Sequence, residues 1–301
     1  MAGTNEYTNY PAQFQGGSTW NLRQLLSASW SGNQTEDEVV PAGLHRRDAV
    51  ITANLAPTLS IDTTDLTTVL TNITNVEQGF ACSSGAEFTW QQRSSGGIFE
   101  SGSAHVSLSS ALGHLILESI SASGDAPAQA SLTYHDLYDG STALSVPTAA
   151  SALGATTPAF VSQFYRGAVT VNGTAIDSVT SVSVNFGLSL SKPIFGGQYA
   201  PSTLAIVSAI PTIMVQTDDI AEFASKVGAA NGVTYANVIC YFRKGAAGGI
   251  RGGAGTALSV TSTAGQATAR EIQGGGGGNS SLQITFKPTA ALSFSLSATH
   301  P

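Results

Sequence analysis

The residues that could do acid–base or metal chemistry are few and lie far apart in the sequence. The five histidines include no H-E-x-x-H motif and no pair spaced for a zinc site on a helix. His135-Asp136 is an acid–base neighbour pair that could orient a metal ion or a nucleophile. Because the pair lies near a turn, we expect both side chains to face solvent. Asp218-Asp219 opens a predicted helix, and helix capping explains these paired carboxylates.

Glycine-rich and basic segments also lack the spacing that cofactor or nucleic-acid binding requires. Gly245–Gly255 does not match G-x-G-x-x-G and no helix is predicted after it, and no lysine lies in a phosphate-binding loop. The basic cluster of Arg243, Lys244 and Arg251 has little aromatic interleaving, which argues against a nucleic-acid-binding surface. No G-x-S-x-G elbow is present. We therefore expect no catalytic site, no cofactor and no metal.

Composition favours a structural protein over an enzyme. Only 10% of the 301 residues are charged, whereas an ordinary domain carries roughly 25%. The net charge is −7, divided into −10 over the first 150 residues and +3 over the rest. This asymmetry has two explanations: chance with one acidic N-terminal loop, or complementarity between neighbouring copies.

Hydropathy and the N-terminal sequence bear on where the protein is made. No apolar run approaches the roughly 20 residues of a membrane-spanning helix, so we expect no membrane anchor. The first residues show no signal peptide, which predicts synthesis in a cytoplasm. Cys82 and Cys240 have no metal-type spacing and are predicted to be buried free thiols, with a disulfide left open.

The pattern of apolar residues predicts a mainly β protein, a β-sandwich or barrel with one α-helix. The helix is expected after Thr217 or Asp218, with Ile220, Phe223 and Val227 on one face. Alternating or β-branched runs bounded by turn residues predict strands over Ala49–Ala56, Glu87–Gln92, His105–Ser109, His114–Ala122, Ser131–His135, Ala168–Val171, Val179–Leu190, Leu204–Val215, Thr234–Arg243, Ala257–Ser262 and Ser281–Lys287.

Loop-type composition suggests how the chain is organised. Residues 1–44 are predicted to form an extended N-terminal arm, loop-like rather than core, before a β domain over 45–301. Long loops are expected at about 139–160, 245–255 and 274–278. The last two flank strands and are predicted to be long hairpin connections.

The segment Gly167–Phe195 carries the most informative pattern. Asn172-Gly173 predicts a type I′ hairpin turn, because both residues tolerate the positive φ angles of that turn. Beyond it, apolar residues alternate with small polar ones, so the outward face of the strand is uncharged. This face is the candidate surface for lining a lumen or contacting a subunit: Ser181, Ser183, Asn185 and Ser189.

Several stretches together resemble one family, the major tail tube proteins of long-tailed bacteriophages. They are GAVTVNGTAIDSVTSVSVNFGLSLSKPIFGG, LAIVSAIPTIMV leading into DDIAEFASKV, VICYFRKG and SLQITF, and the resemblance covers about residues 45–290. The N-terminal arm and the overall length depart from the smaller members of that family.

The resemblance implies a function. Such subunits form hexameric rings whose strands close an inter-subunit β-barrel, and the rings stack into a tube for DNA ejection into the host. The implied partners are other copies of the chain, a tape measure protein, a tail terminator protein and transiently passing, non-specifically contacted DNA. The implied location is the virion tail, after synthesis in the host cytoplasm. No catalytic residue is carried over.

Other functions remain open on the sequence. Another virion β protein, such as a decoration, distal tail or fibre protein, would share this composition. A carbohydrate-binding or adhesin β-sandwich would need clustered exposed aromatic residues, and Trp20, Trp30 and Trp90 are scattered. An enzyme on a β scaffold would need a convergent acid–base pair such as His135 and Asp136.

Overall fold

The computed structural model describes residues 6–39, 49–93, 105–141, 144–150, 153, 159, 162–220, 233–245, 256–273 and 281–299. Within these ranges the chain is mainly β, with several antiparallel sheets and one short helix. The mainly β prediction is thus confirmed at this level. Among the described helices, none is long and apolar enough to cross a membrane.

The elements are numbered in chain order. They are β1 (Glu6–Asn9), β2 (Ala12–Gln15), β3 (Thr19–Leu22), β4 (Leu25–Ser31), β5 (Gln34–Val39), β6 (Ala49–Leu55), β7 (Thr58–Thr63), α1 (Leu66–Asn72), β8 (Phe80–Cys82), β9 (Gly85–Arg93), β10 (His105–Ser110), β11 (Gly113–Ser123), β12 (Gln129–Asp136), β13 (Thr148–Ala150), β14 (Phe164–Val171), β15 (Thr174–Ile176), β16 (Val179–Asn185), β17 (Leu188–Ser191), β18 (Ala205–Ala209), β19 (Thr212–Thr217), β20 (Val233–Tyr235), β21 (Val238–Lys244), β22 (Thr256–Ser262), β23 (Gly265–Gln273), β24 (Ser281–Pro288) and β25 (Ser293–Thr299).

A ten-stranded antiparallel sheet dominates the fold. Its strand order is β20-β23-β24-β19-β16-β11-β12-β7-β4, with β8 pairing beside β11. A six-stranded sheet runs β13-β10-β9-β2-β3, with β1 also on β9, and a five-stranded sheet runs β15-β14-β21-β22-β25. Two separate two-stranded ribbons pair β5 with β6 and β17 with β18.

Period-two alternation directs one face of each large sheet into a shared core. On β16, Val182 and Val184 are fully buried, and Phe14 of β2 and Phe242 of β21 belong to the same cluster of buried side chains. Each such side chain removes apolar surface from water, at about 2 kcal/mol for a valine or leucine. This burial holds the three sheets together and leaves the other face of the ten-stranded sheet for a different purpose.

The short helix α1 was missed at the sequence level although its signals are present. Asp65 caps it, and its carboxylate accepts a hydrogen bond from the backbone N–H of Thr68 at 3.2 Å. Leu66, Val69 and Leu70 form its buried face. The helix predicted after Asp218 lies, from residue 221 onward, outside the described residues.

The Asn172-Gly173 turn is as predicted, but its hairpin is short. Both residues have positive φ, 51° and 82°, and Val171 pairs with Thr174 across the turn. The chain then turns at Ser178 (φ 52°), so that β16 leaves this sheet and joins the ten-stranded one. The long alternating strand is therefore not the second arm of the hairpin.

The predicted loop character of the first 45 residues is wrong for the described part of that segment. Phe14 and Leu22 are fully buried, and β2 and β3 pair within the six-stranded sheet. Polar residues between the apolar ones concealed these short strands, because their alternation extends over only four residues each. The division of the chain at residue 44 remains a prediction.

Several predicted strands are interrupted, and the glycine-rich loops connect paired strands. Val179–Leu190, Leu204–Val215 and Thr234–Arg243 each divide into two strands, which belong to different sheets. Residues 246–255 and 274–280 lie outside the described residues, but the strands on either side pair antiparallel as long hairpins require. Part of the predicted loop at 139–160 is described, and it contains β13.

The two cysteines are free and buried, as predicted. Burial raises the pKa of the Cys82 and Cys240 thiols to about 12. Thiolate is the reactive form, so both residues are inert at neutral pH.

Candidate functional site

The outward side of the ten-stranded sheet is a continuous polar surface, here called the serine face. Residues paired directly across antiparallel strands share a face, so the strand register defines it. One row crosses six strands as Ser27, Asp62, Ser131, Ser119, Asn185 and Thr212. A second row is Gln129, Ser121, Ser183, Met214, Thr285 and Thr268, and a third is Ser123, Ser181, Gln216, Gln283 and Glu271.

The serine face brings together three of the four predicted surface residues. Ser181, Ser183 and Asn185 stand on β16, each directly opposite a serine of β11. Asn185 and the adjacent Ser121 are exposed to solvent. Ser189 is exposed as well, but it lies on β17 in a separate two-stranded ribbon and is not part of this face.

Sequence reasoning missed most of the serine face. The β11 serines occur in ESISASG, where Ser119, Ser121 and Ser123 alternate with apolar residues. This is the same signal that was recognised on β16. What could not be read from the sequence is that the two strands are neighbours in register, because a long stretch of chain separates them.

Electrostatically the serine face is nearly neutral. Its charged residues are few: Asp62 in the first row, Glu271, which pairs with Gln283 in the third, and the exposed Lys287, two residues beyond Thr285 on the same side of β24. Asp62 joins neighbouring strands. Its carboxylate accepts hydrogen bonds from Ser27 Oγ at 2.6 Å and Ser131 Oγ at 2.7 Å, which join three strands. Ser181 Oγ likewise reaches Gln216 Oε1 on the next strand at 3.4 Å. Such a face can form weak hydrogen bonds with many partners, and Lys287 is the cation that β24 adds to it.

Asp62 is the carboxylate that accepts hydrogen bonds from two of these serines, Ser27 and Ser131, and the three rows contain no histidine that would activate a serine nucleophile. Among the described residues, no group of three or more His, Cys, Asp and Glu side chains could hold a metal ion. The serine face presents hydroxyl and amide groups that can make hydrogen-bonded contacts.

The expectation that His135 and Asp136 face solvent is wrong, since each is only 5% exposed. They are successive residues of β12 and so point to opposite sides of the sheet. Lys192 Nζ lies 3.1 Å from His135 Nδ1, so the ammonium donates and Nδ1 accepts. Burial first, then the charges of Lys192 and His114, lowers the pKa of His135 to about 3. His135 is therefore a neutral, buried residue.

Asp136 belongs to a buried hydrogen-bond chain. Tyr134 donates from its hydroxyl to Ser110 Oγ at 2.6 Å, and Ser110 donates to Asp136 Oδ1 at 2.5 Å. The backbone N–H of Ser145 donates to Asp136 Oδ2 at 2.8 Å. Burial raises the pKa of both Tyr134 and Asp136, and the hydrogen bonds partly oppose this. These hydrogen bonds tie β10 to β12 inside the core.

The three tryptophans do not form an exposed aromatic platform. Trp20 is 6% exposed and stacks on Phe14 with ring centroids 4.7 Å apart. Trp30 and Trp90 are half-buried against the core, and Trp90 Nε1 donates to the carbonyl of Ala28 at 3.3 Å. This placement offers no flat aromatic surface for stacking a sugar ring.

No protein-family model matches the chain, and no curated protein matches it.

Proposed function

We propose that the protein is a structural subunit that assembles into stacked rings, as the major tail tube proteins of long-tailed bacteriophages do. The observation that carries this proposal is the serine face: three rows of mostly polar side chains across a wide antiparallel sheet, with few charges, namely Asp62, Glu271 and the neighbouring Lys287.

The chemistry of the serine face suits a conduit for DNA. Lys and Arg bind phosphates and would retain a passing strand, whereas short uncharged side chains hold it only weakly. Asp62 and Glu271 repel phosphate, and Lys287 is the one cation that opposes them. An overall net charge of −7 acts in the same direction.

The edges of the ten-stranded sheet also favour assembly. β23 pairs with β20 only through residues 265–267, so within the described chain its outer edge from residue 268 to 273 has no strand partner. At the opposite side, the carbonyls of Leu26 and Ala28 on β4 accept side-chain hydrogen bonds from Asn9 and Trp90. Closing such sheets between subunits into a barrel would remove the remaining open edges. A sandwich-like arrangement of the other two sheets would support that wall from behind.

Electron microscopy of the purified protein tests the proposal. We expect rings or tubes with a central channel at high protein concentration, with salt varied because a nearly neutral assembly should depend little on ionic strength. Compact monomers under all salt conditions, also with candidate tape measure and terminator partners present, would contradict it. Closed oligomers without a channel would instead favour another virion β protein, such as a decoration or fibre subunit.

A further inference from the structure

Exposed apolar side chains concentrate on one segment, here called the apolar ribbon, residues 188–210. It comprises β17, β18 and the connection between them. Five of the eight large apolar side chains that are exposed in the described chain belong to it: Ile194, Phe195, Tyr199, Val207 and Ile210. Clustered exposed apolar residues on a soluble protein indicate a contact surface.

The two most exposed of these side chains stand on fixed backbone. Val207 is the extra residue of a β-bulge, because Ser189 pairs with Ser208 while Leu190 pairs with Ile206. Ile210 donates its N–H to the carbonyl of Gly187 at 3.1 Å. Their exposed fractions are 68% for Val207 and 70% for Ile210. Both are therefore rigid apolar projections rather than side chains of a loose loop.

The apolar ribbon is anchored to the rest of the chain at a few points but belongs to no larger sheet. Leu188 packs against the core, and the backbone N–H of Leu55 donates to the carbonyl of Tyr199 at 3.0 Å. Within the described residues β17 and β18 pair only with each other. Its cross-strand pairs are small or aliphatic, Leu188 with Ala209 and Ser191 with Ala205. Contact with a further surface would stabilise it.

A complementary surface exists on the same chain, here called the α1 groove. It is a pocket of about 500 Å³ between the end of α1, the turn that precedes β25 and the base of the apolar ribbon, where Leu188 and Ala209 form part of its wall. Leu70, Phe186, Leu292 and Phe294 give it an apolar lining, and the rings of Phe186 and Phe294 lie 5.8 Å apart. Branched aliphatic side chains are the natural occupants of such a pocket.

Charge indicates which partner carries those side chains. Lys192 is the only charged residue between positions 188 and 210, and Glu77 is the only charged residue lining the α1 groove. The two surfaces are otherwise uncharged, so they are complementary in apolar character and in their single charges. Although Lys192 contacts His135, its ammonium has three donors and can serve a second acceptor.

We propose that Val207 and Ile210 of one copy seat in the α1 groove of a second copy of this chain. This inference deepens the proposed function and rests on its self-assembly, because it names the surfaces through which neighbouring subunits meet. The serine face remains free in this contact, since none of its residues lines the groove.

Sedimentation velocity over a range of concentrations tests the contact. The wild-type chain is expected to self-associate, and Val207→Asp with Ile210→Asp to weaken the association at least tenfold. Val146→Asp is the matched control, because Val146 is 54% exposed but lies outside the ribbon. Thermal unfolding should be unchanged in all variants, since each altered side chain is exposed. A wild-type chain that stays monomeric, or a double variant that associates like the wild type, overturns the inference.

Disulfide trapping provides a second, independent measurement. Val207→Cys protein is mixed with Ser293→Cys protein under mild oxidation, so that a bond between the two can only join different molecules. Ser293 is exposed at the groove, and the native Cys82 and Cys240 are buried. We expect more cross-linked dimer from the mixture than from either variant alone. Equal yields from the mixture and the separate variants would contradict the proposed contact.

The results separate this inference from the proposed function. Tubes that form equally well from the double aspartate variant would overturn the contact and leave the tail tube proposal standing. A ribbon-dependent oligomer that never forms rings would support the contact and contradict the tail tube proposal.

Discussion

The two faces of the ten-stranded sheet differ in what they do for the protein. The inward face carries Val182, Val184 and Phe286, all nearly or fully buried in the common core. The outward serine face carries short polar side chains, of which Ser121 and Asn185 are exposed. The same strands therefore contribute folding energy on one side and a low-charge surface on the other. A surface with so few charges is a solubility risk unless other subunits cover or enclose it, which is why we connect it with assembly.

The largest expected effect comes from emptying the inward face. Phe286→Ala removes a fully buried ring that packs edge-on against Tyr235 at 5.5 Å, and we expect it to lower the free energy of unfolding by about 3–5 kcal/mol. Urea unfolding measures this change. Gln283→Ala on the outward face of the same strand is the control and should change it by less than about 0.5 kcal/mol. Similar losses from both variants would remove the distinction between the faces.

A pH titration examines the end of β12, where Lys192 lies against the buried His135. The His135 pKa is about 3 in the folded protein, against about 6.5 when unfolded. The unfolded state therefore binds more protons between these values, and stability should fall as the pH drops from 7.5 to 3, by a few kcal/mol. The lowered pKa of His114 acts in the same direction, while the raised pKa of Asp136 opposes it.

Comparing His135→Gln with the wild type isolates this contribution. The variant should lose less stability between pH 7.5 and pH 4, as measured by urea midpoints at each pH. Parallel pH profiles for the two proteins would show that His135 is not held neutral by its surroundings.

A smaller effect is expected where the outward face does contribute to stability. Asp62→Ala removes the carboxylate that accepts hydrogen bonds from Ser27 and Ser131, and it should cost about 1 kcal/mol because the site is half-exposed. Asp62→Asn keeps one acceptor oxygen and should cost less. If thermal melting places both variants level with Phe286→Ala, the serine face is part of the folding core after all.

The smallest change in stability is expected for a variant that should clearly alter how the tube interacts with DNA. Ser183→Lys adds a cation at the centre of the serine face and should change the free energy of unfolding by about 0.5 kcal/mol or less. Tubes of this variant should retain duplex DNA in a salt-dependent manner, because each added lysine can neutralise a phosphate. Ser183→Gln is the uncharged control. Equal DNA retention by both variants would argue that the face does not meet DNA.

Local patterns predicted many of the central strands and the Asn172-Gly173 turn, because period-two alternation and positive φ tolerance are read from adjacent residues, but they did not predict β7, β23 or β25. The interruptions near Gly187 and Pro211 were not foreseen, since the apolar pattern continues across them. Gly187 has φ 56°, and a side chain there would collide with the carbonyl of Ile210. Position 187 therefore requires glycine because of a segment distant in the sequence, and the residues next to Gly187 do not reveal this requirement.

The candidate site was predictable strand by strand but not as a surface. Ser181, Ser183 and Asn185 were identified from β16 alone, whereas Ser189 was grouped with them by continuing the same alternation past the break. Pairing of β16 with β11, which makes six outward residues into one patch, depends on long-range register. The acid–base reading of His135-Asp136 failed for a related reason, because burial of both residues comes from distant segments.

A reconstruction of the assembled protein by electron cryo-microscopy, traced to the level of individual strands, tests the central claim most directly. Our account predicts stacked rings in which the strands carrying Ser119, Ser121, Ser181 and Ser183 line the central channel. An assembly in which this face points outward to solvent, or in which the channel is lined by basic side chains, would contradict it.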